Sequence, residues 1–181
     1  MLIPAVVSTA GVEKIEKEPK VLEAAARWLG RPTDTGSPAQ RGLSEQTSTF
    51  CCDAEEFLEG RGGYGYDVLL VDLFVRSDLS ALHQSTTFLY KCSAALSSFG
   101  IAAFNLPHRD KEFEGRCREI FGEDRVAAIP CPRSANVVVL ALAKGAAPFS
   151  KRHVARRAHQ LSAQARFPFD LKDLLPVHWC V

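Results

Sequence analysis

Three acidic residues of the sequence stand where strand-like segments end, and such positions suit a ligand site. Glu16, Asp53 and Asp72 each follow or close a short apolar segment. Carboxylates at the carboxyl ends of parallel strands can accept hydrogen bonds from a ribose or an exocyclic amine, and they can pair with a cationic centre. Together the three acids predict a nucleoside-sized site at one edge of a β-sheet. Taken singly, Glu16 and the nearby Glu18 are also explained as solvated acids before a helix.

The elements that must position these acids alternate between strand-like and helix-like patterns. Pro19 suits a first helical position, and the apolar residues after it recur at helical spacing with one face buried. The turn between the last two strands is short, which requires antiparallel pairing. The pattern therefore predicts an α/β fold with a mostly parallel sheet and a carboxyl-terminal antiparallel hairpin. Strands are predicted at 12–15, 49–52, 66–74, 101–106, 125–129 and 136–143, and helices at 19–29, 54–58, 84–99, 111–121 and 150–166.

Length and composition bound the class of protein. The chain has 181 residues, of which 46% are hydrophobic and 24% charged, and this fits one globular domain over 1–181. The segment 31–48 has Leu43 as its only large apolar residue, so we expect a flexible loop insertion. No segment approaches the ~18 apolar residues of a membrane span, so we expect no membrane contact. A net charge of +1 gives no global electrostatic reason to expect nucleic acid as a partner.

The cysteines do not form a metal site in this interpretation. Six cysteines occur without a Cys-x-x-Cys pair and without histidines at a spacing that suits zinc. Several lie in apolar segments, as small hydrophobic residues would. We therefore expect no metal, reduced thiols and a cytoplasmic location.

Two further features leave alternatives open. The helix predicted near the carboxyl end is basic and has no acid, so its face could contact an acidic protein or RNA or simply be solvated. It has no interleaved aromatic residues for base stacking, which argues against single-stranded nucleic acid. The segment 105–107 follows a strand and borders a substrate opening or merely turns the chain at Pro107.

Five pieces of the sequence, in order, resemble the spermidine synthase-like branch of S-adenosylmethionine-dependent transferases: IEKEP, CDAEEFL, YDVLLVDLF, IAAFNL and NVVVLALA. Within that branch the chain is most similar to the carboxyl-terminal half of the methyltransferases that modify elongation factor one alpha at lysine or the amino terminus. The resemblance implies a Rossmann-like methyltransferase fold and S-adenosylmethionine as cofactor. It implies that Glu16 binds the ribose, that Asp53 and Ala54 border the adenine, and that Asp72 is the catalytic acid beside the attacking group.

The sequence departs from that family in two places. The glycine-rich cofactor loop that precedes the acid-proline motif is missing, so we expect an amino-terminally abbreviated domain in which the first strand is lacking or replaced. A missing strand would expose sheet edges and favour association with itself or another protein. After Asp72, the neighbouring Phe74 and Val75 stand where aminopropyltransferases carry further acids, and the next acid is Asp78.

These departures decide the order of the functional expectations. Polyamines are cations that need several carboxylates, whereas methyl transfer asks mainly for an aligned nucleophile and a base. We therefore expect a methyltransferase-like protein that acts on a protein substrate, and the missing loop leaves open that the chain is inactive alone. The alternative is a non-catalytic scaffold or binding module of the same fold. A polyamine aminopropyltransferase comes third.

Overall fold

The first parallel strand pair lies in the amino-terminal unit, residues 1–59, one of two compact units into which the chain divides. Strand β1 (Val12–Ile15) pairs in parallel with β2 (Thr47–Phe50), with Ile15 opposite Phe50. Helix α1 (Pro19–Leu29) follows β1, and helix α2 (Ala54–Leu58) follows β2. The structure is a computed structural model, and it describes residues 11–29, 47–75, 78–79, 85–132, 134–164 and 169–175.

Helix α1 begins at Pro19, as the sequence predicts, but its apolar face is less buried than expected. Leu22 and Ala25 are half-buried, whereas Val21 is 50% exposed and Trp28 77% exposed. The prediction of a buried face is therefore wrong for Val21. Among the described residues of this unit, only Phe57 and Leu58 are buried, so the unit offers little core for a helix face to join.

Strand β2 begins earlier than the sequence indicates. It runs from Thr47 rather than from position 49, so it includes two residues of the predicted loop 31–48. Backbone pairing with β1 sets this boundary, since Val12 lies opposite Thr47. The rest of that loop, 31–46, and the first ten residues, for which a replacement strand or helix was predicted, lie outside the described residues.

The carboxyl-terminal unit, residues 60–181, contains a four-stranded sheet. Its order is β3 (Tyr66–Val71), β6 (Leu96–Leu106), β8 (Val137–Leu142) and β7 (Val126–Pro130). Strands β3 and β6 are parallel, and β8 pairs antiparallel with both β6 and β7. The mixed α/β class and the predicted carboxyl-terminal antiparallel hairpin are thus confirmed. The unit also contains the short antiparallel pair β4 (Phe74–Val75) and β5 (Asp78–Leu79).

Three helices belong to this unit, and none of the described helices could cross a membrane. Helix α4 (Lys111–Phe121) has the bounds that the sequence predicts, and the Asp110 carboxylate caps it by accepting hydrogen bonds from the N–H groups of Glu112 and Phe113. The helices are α3 (Thr86–Ala95), α4 (Lys111–Phe121) and α5 (Lys151–Gln164), with 3-10 turns at Glu123–Arg125 and Leu171–Leu174.

The predicted helix 84–99 is wrong in its last part. Helix α3 ends at Ala95, and β6 begins at the next residue, so Phe99 belongs to a strand and is 80% exposed. The reason is long-range pairing with β3. The register shifts irregularly there, and a Cβ at Gly100 would lie 2.6 Å from the carbonyl oxygen of Tyr66. Only glycine permits this close approach, which overrides the helical spacing of the sequence.

The core of the carboxyl-terminal unit lies between one face of the sheet and helices α3 and α4. Alternate residues of β6, including Phe104, are fully buried, as the two-residue period of a strand requires. The Phe104 ring packs edge-on against Phe113 at 5.3 Å and against Phe121 at 6.4 Å between ring centroids. This aromatic cluster packs the helix Lys111–Phe121 against β6, the strand that carries Asn105.

Strand β3 lies at one edge of the four-stranded sheet. Its nearly continuous apolar sequence predicts cover on both faces, yet Val68 is 57% exposed and Leu70 77% exposed. That expectation is wrong for these two residues, which share one face of β3, whereas Val71 on the other face is buried. Association through open sheet edges, with a second copy or another protein, stays a prediction.

Candidate functional site at the strand ends

Two of the predicted site residues lie at one end of the β1-β2 pair. Glu16 directly follows β1, and its backbone N–H donates to the carbonyl oxygen of Phe50 at 3.1 Å. Asp53 follows β2 after two cysteines and precedes Ala54, the first residue of α2. Because the two strands are parallel, the carboxylates of Glu16 and Asp53 leave the pair at its carboxyl end. The structure thus brings these two residues to the same end of the amino-terminal sheet.

Each of these carboxylates already accepts a hydrogen bond from a nearby backbone N–H group. Glu16 Oε1 accepts a hydrogen bond from the Glu18 N–H at 2.9 Å, and Asp53 Oδ1 accepts one from the Glu55 N–H at 2.8 Å as the N-cap of α2. Such local caps favour the structural explanation of both acids. A carboxylate has a second oxygen, however, and in the described ranges nothing is bonded to Glu16 Oε2 or Asp53 Oδ2. Both oxygens can therefore accept a hydrogen bond from a ligand.

The third predicted acid belongs to a row of polar side chains that crosses three strands. Asp72 directly follows β3, and its Oδ1 accepts a hydrogen bond from Nδ2 of Asn105 at 2.9 Å. Asn105 Oδ1 in turn accepts one from Nδ2 of Asn136 at 3.1 Å. Since β3 and β6 are parallel and β8 runs antiparallel to β6, the three residues lie at the same end of these strands. We name this arrangement the Asp72–Asn105–Asn136 row.

The row determines what Asp72 can do chemically. Asn105 fixes one carboxylate oxygen, and the other has no partner within the described part of the chain. Asp72 is exposed, whereas both asparagines are half-buried. The carboxylate therefore faces solvent while the asparagines hold it in position. An oriented carboxylate of this kind can hold a cationic group or accept a proton from an attacking amine.

Sequence reasoning found Asp72, left Asn105 undecided and missed Asn136. The signal that could have found Asn136 is its place directly before the apolar segment of β8, at the end of a turn. That turn is fixed locally, because the Cys131 N–H donates to the Asn136 carbonyl oxygen at 2.8 Å. The pairing with Asn105 depends on strand register, which the sequence alone does not give.

The glycine-rich turn 60–65 does not serve as a cofactor loop. Gly60, Gly63 and Gly65 have positive φ angles of 72°, 77° and 87°, which explains the choice of glycine. The N–H groups of Gly63 and Gly65 donate to the carbonyl oxygens of Ala94 and Ala95, the last residues of α3, at 2.7 and 3.1 Å. The turn therefore caps a helix end. In the described ranges, no glycine-rich turn leads from a strand into a helix, and the missing loop stays a prediction.

An open groove of about 410 Å³ lies at the opposite end of β6. Leu96, Ser97 and Ser98 line one side of it and Lys144 and Gly145 the other. Asn105 lies near the far end of the same strand, so this groove is not part of the site at Asp72. Within the described residues, no group of three or more His, Cys, Asp or Glu side chains could hold a metal ion.

Comparisons with known proteins give matches in structure alone. No protein-family model matches the sequence, and no curated protein matches it significantly. Human methyltransferase-like protein 13 in complex with SAH is 18% identical, with a TM-score of 0.68 over 88% of this chain and 72% of that chain. A probable spermidine synthase from Corynebacterium glutamicum is 18% identical, with a TM-score of 0.61 over 81% of this chain and 53% of that chain.

A second spermidine synthase, from Thermotoga maritima, is also 18% identical, with a TM-score of 0.51 over 81% of this chain and 50% of that chain. The chain thus spans about half the length of the two spermidine synthases. At this identity the likeness shows the fold, and the chain has the Rossmann-like fold of methyltransferases and spermidine synthases. The gathering of Glu16, Asp53 and Asp72 at one edge stays a prediction.

Proposed function

We propose that the chain is an S-adenosylmethionine-dependent methyltransferase-like protein that acts on a protein substrate. One observation carries the proposal: 88% of the chain shares its fold with a methyltransferase-like protein whose structure contains SAH. Acids at the carboxyl ends of parallel strands support it, because ligands of open α/β sheets lie outside those ends.

The residues at these strand ends fit the cofactor in the chemistry of their free oxygens. Glu16 Oε2 would accept hydrogen bonds from the ribose hydroxyls, and Asp53, followed by Ala54, would accept one from the exocyclic amine of adenine. The bound cofactor supplies a methyl group activated by a sulfonium. Asp72 would hold the methyl acceptor and take its proton, with Asn105 keeping the carboxylate in place.

Calorimetry with S-adenosylmethionine and SAH tests the cofactor proposal. We expect binding that weakens about tenfold or more in Glu16→Ala, since a lost hydrogen bond to a charged group costs roughly 1.5–3 kcal/mol. Glu18→Ala is the matched control because Glu18 is exposed and donates to Glu16 only through its backbone. We expect that control to bind within about twofold of the parent protein.

The calorimetry also distinguishes a methyltransferase-like protein from a non-catalytic scaffold. The local caps made by Glu16 and Asp53 favour a non-catalytic module, because they explain both acids without a ligand. If millimolar ligand gives no heat, the scaffold function is favoured over methyl transfer. If Glu16→Ala binds as the parent does, the ribose role of Glu16 is wrong.

Polyamine aminopropyl transfer is the third candidate, and the likeness to spermidine synthases is the observation that favours it. Decarboxylated cofactor and a diamine acceptor form the direct assay. Product formation that Asp72→Asn abolishes would favour aminopropyl transfer, whereas turnover limited to methyl transfer would favour the first proposal. The asparagine that replaces Asp72 keeps the size of the side chain but cannot act as a base.

A further inference from the structure

Helix α5 presents an uninterrupted basic face to solvent. Its four basic side chains are all exposed, and they are Lys151, Arg152, Arg156 and Arg157. His153 and His159 are exposed on the same helix, which has no acidic residue. We name these six residues the basic face. The predicted helix 150–166 is thus confirmed between Lys151 and Gln164, and Arg166 lies outside the described residues.

The charge of this part of the chain is segregated rather than balanced. The whole sequence has 22 Lys and Arg against 21 Asp and Glu, yet between Asp124 and Asp170 it has eight Lys and Arg and no acid. Arg152 and Arg156 are one helical turn apart, and like charges at this spacing destabilise a helix. An ordinary solvated face mixes both signs. Repulsion between these two arginines therefore lowers the stability of the helix, and α5 has no acidic residue to offset it.

Ion pairing elsewhere in the unit shows the contrast. On α4, Arg118 Nη2 lies 3.3 Å from Glu114 Oε2, and Arg118 Nε lies 3.4 Å from Glu123 Oε1. Among the described residues, no carboxylate lies within ion-pair distance of the four Lys and Arg side chains of the basic face. Arg156 Nη2 instead donates to His153 Nδ1 at 3.0 Å. Arg157 Nη1 donates to Gln160 Oε1 at 3.5 Å. The remaining guanidinium N–H groups are available to an external anion.

The opposite side of α5 is anchored, which directs the basic face outward. Val154, Ala158 and Leu161 are half-buried along one stripe. Ser162 Oγ donates to Asp170 Oδ1 at 3.0 Å and accepts from the Leu171 N–H at 2.8 Å. These bonds tie the last turns of the helix to the 3-10 turn that follows.

We propose that the basic face of α5 docks an acidic segment of a partner protein. The planar guanidinium of arginine binds carboxylates with two parallel hydrogen bonds, and three of the four cations are arginines. The helix has no Phe, Tyr or Trp on which a base could stack. Residues 1–59 contain six Lys and Arg against ten Asp and Glu, so the chain as a whole does not attract a long polyanion. Carboxylates on a short segment are therefore favoured over nucleic acid.

Fluorescence anisotropy of the full chain with a labelled peptide rich in glutamate and aspartate tests this docking. We expect saturable binding at low salt that weakens about tenfold or more in the triple variant Arg152→Glu, Arg156→Glu, Arg157→Glu. The matched control makes the same charge change at exposed lysines, as Lys20→Glu, Lys111→Glu, Lys144→Glu. It should bind within about threefold of the parent, since its sites are distributed over the chain.

A second triple variant tests whether any loss of binding in the first comes from unfolding of the helix. The triple change of Arg152, Arg156 and Arg157 to Gln keeps good helix formers and adds no negative charge, and circular dichroism checks the helix content. The proposal is overturned if both triple variants bind the peptide as the parent does, or if the lysine control weakens binding equally. It is also overturned if a labelled single-stranded or duplex RNA binds the parent more tightly than the peptide. The docking proposal does not depend on methyl transfer.

Discussion

The two units hold the acids at their strand ends in different ways. In the carboxyl-terminal unit, Asp72 is fixed by Asn105, a side chain 33 residues away that Asn136 fixes in turn. In the amino-terminal unit, Glu16 and Asp53 each accept from a backbone N–H only two residues further on. The orientation of Asp72 is therefore a property of the assembled sheet, whereas the other two acids are oriented as soon as a local turn forms.

The units also differ in burial. The largest fully buried side chains, such as Phe104, Phe113 and Cys117, all belong to the carboxyl-terminal unit. The described part of the amino-terminal unit buries only Phe57 and Leu58. We therefore expect the core of the carboxyl-terminal unit to contribute more to the stability of the protein than the described part of the amino-terminal unit does.

The largest expected effect tests this difference in burial. Phe113 is fully buried against Phe104, so Phe113→Ala should lower the free energy of unfolding by about 3–5 kcal/mol through lost burial and a cavity. Val21→Ala on α1, where the residue is 50% exposed, should cost less than about 1 kcal/mol. Urea denaturation followed by circular dichroism measures both. Equal costs for the two variants would contradict the contrast between the units.

The next effect concerns Glu114, the only charged residue that is buried among those the structure describes. Arg109 Nε lies 2.9 Å from Glu114 Oε1, and Arg118 Nη2 lies 3.3 Å from Oε2. Changing both arginines to alanine leaves a buried carboxylate unpaired and should cost roughly 2–3 kcal/mol. The control Glu112→Ala removes an exposed partner of Arg116 and should cost less than about 0.5 kcal/mol.

Neutralising the carboxylate sharpens that test. If an unpaired buried charge is the cause, Glu114→Gln in the double-arginine background should recover part of the lost stability, because an amide is easier to bury than a carboxylate. The hydrogen bond to Glu114 and the charge of its carboxylate raise the pKa of Arg109, so this guanidinium stays charged in the folded protein. No recovery of stability in the triple variant would show that an unpaired buried charge is not the cause of the loss.

The sequence predicts those parts of the molecule whose causes are local. Pro19 marks the start of α1, the helical pattern gives the bounds of α4, and the short turn before Asn136 requires an antiparallel pair. Asp72 is also a local signal, because an acid that ends a strongly apolar strand stands out in the sequence.

The parts that the sequence does not predict depend on distant contacts. The change from α3 to β6 at Leu96 follows from pairing with Tyr66, and the exposure of Leu70 depends on which face of β3 other elements cover. The bond between Asn136 and Asn105 needs the register of β6 with β8, in which Asn105 lies opposite Val138. Strand register is set by the whole sheet, and no single segment contains it.

A smaller effect follows from the pH dependence of stability. Burial raises the pKa of the Cys117 thiol from 9.0 to about 12. Between these values the unfolded chain loses a proton that the folded chain keeps, so Cys117 stabilises the fold fully below about pH 9 and progressively less as the pH rises to about 12. The contribution to the slope is at most about 1.4 kcal/mol per pH unit.

Alanine variants in the two units isolate this contribution. Urea denaturation between pH 8 and about 10.5 should show a shallower loss of stability in Cys117→Ala than in the parent. Cys51 is exposed in the amino-terminal unit, so Cys51→Ala should keep the parental slope. A slope that is the same in Cys117→Ala and in the parent would mean that other groups account for all of it.

The smallest effects compare the same cap in the two units. Asp110 caps α4, which is part of the core, so Asp110→Ala should cost about 1 kcal/mol in global stability. Asp53 caps α2, which has only five residues, so Asp53→Ala should change global stability by less than about 0.5 kcal/mol. Asp53→Asn should leave stability unchanged, because asparagine caps a helix as well as aspartate does.

Asp53→Asn also separates the structural role of Asp53 from its proposed ligand role. The asparagine keeps an oxygen for the Glu55 N–H but offers an amide group, rather than a second carboxylate oxygen, to an exocyclic amine. A cofactor that is bound there should therefore lose affinity about tenfold in calorimetry while the unfolding curve does not move. If affinity and stability are both unchanged, Asp53 is a helix cap and no more, and the adenine contact must come from another residue.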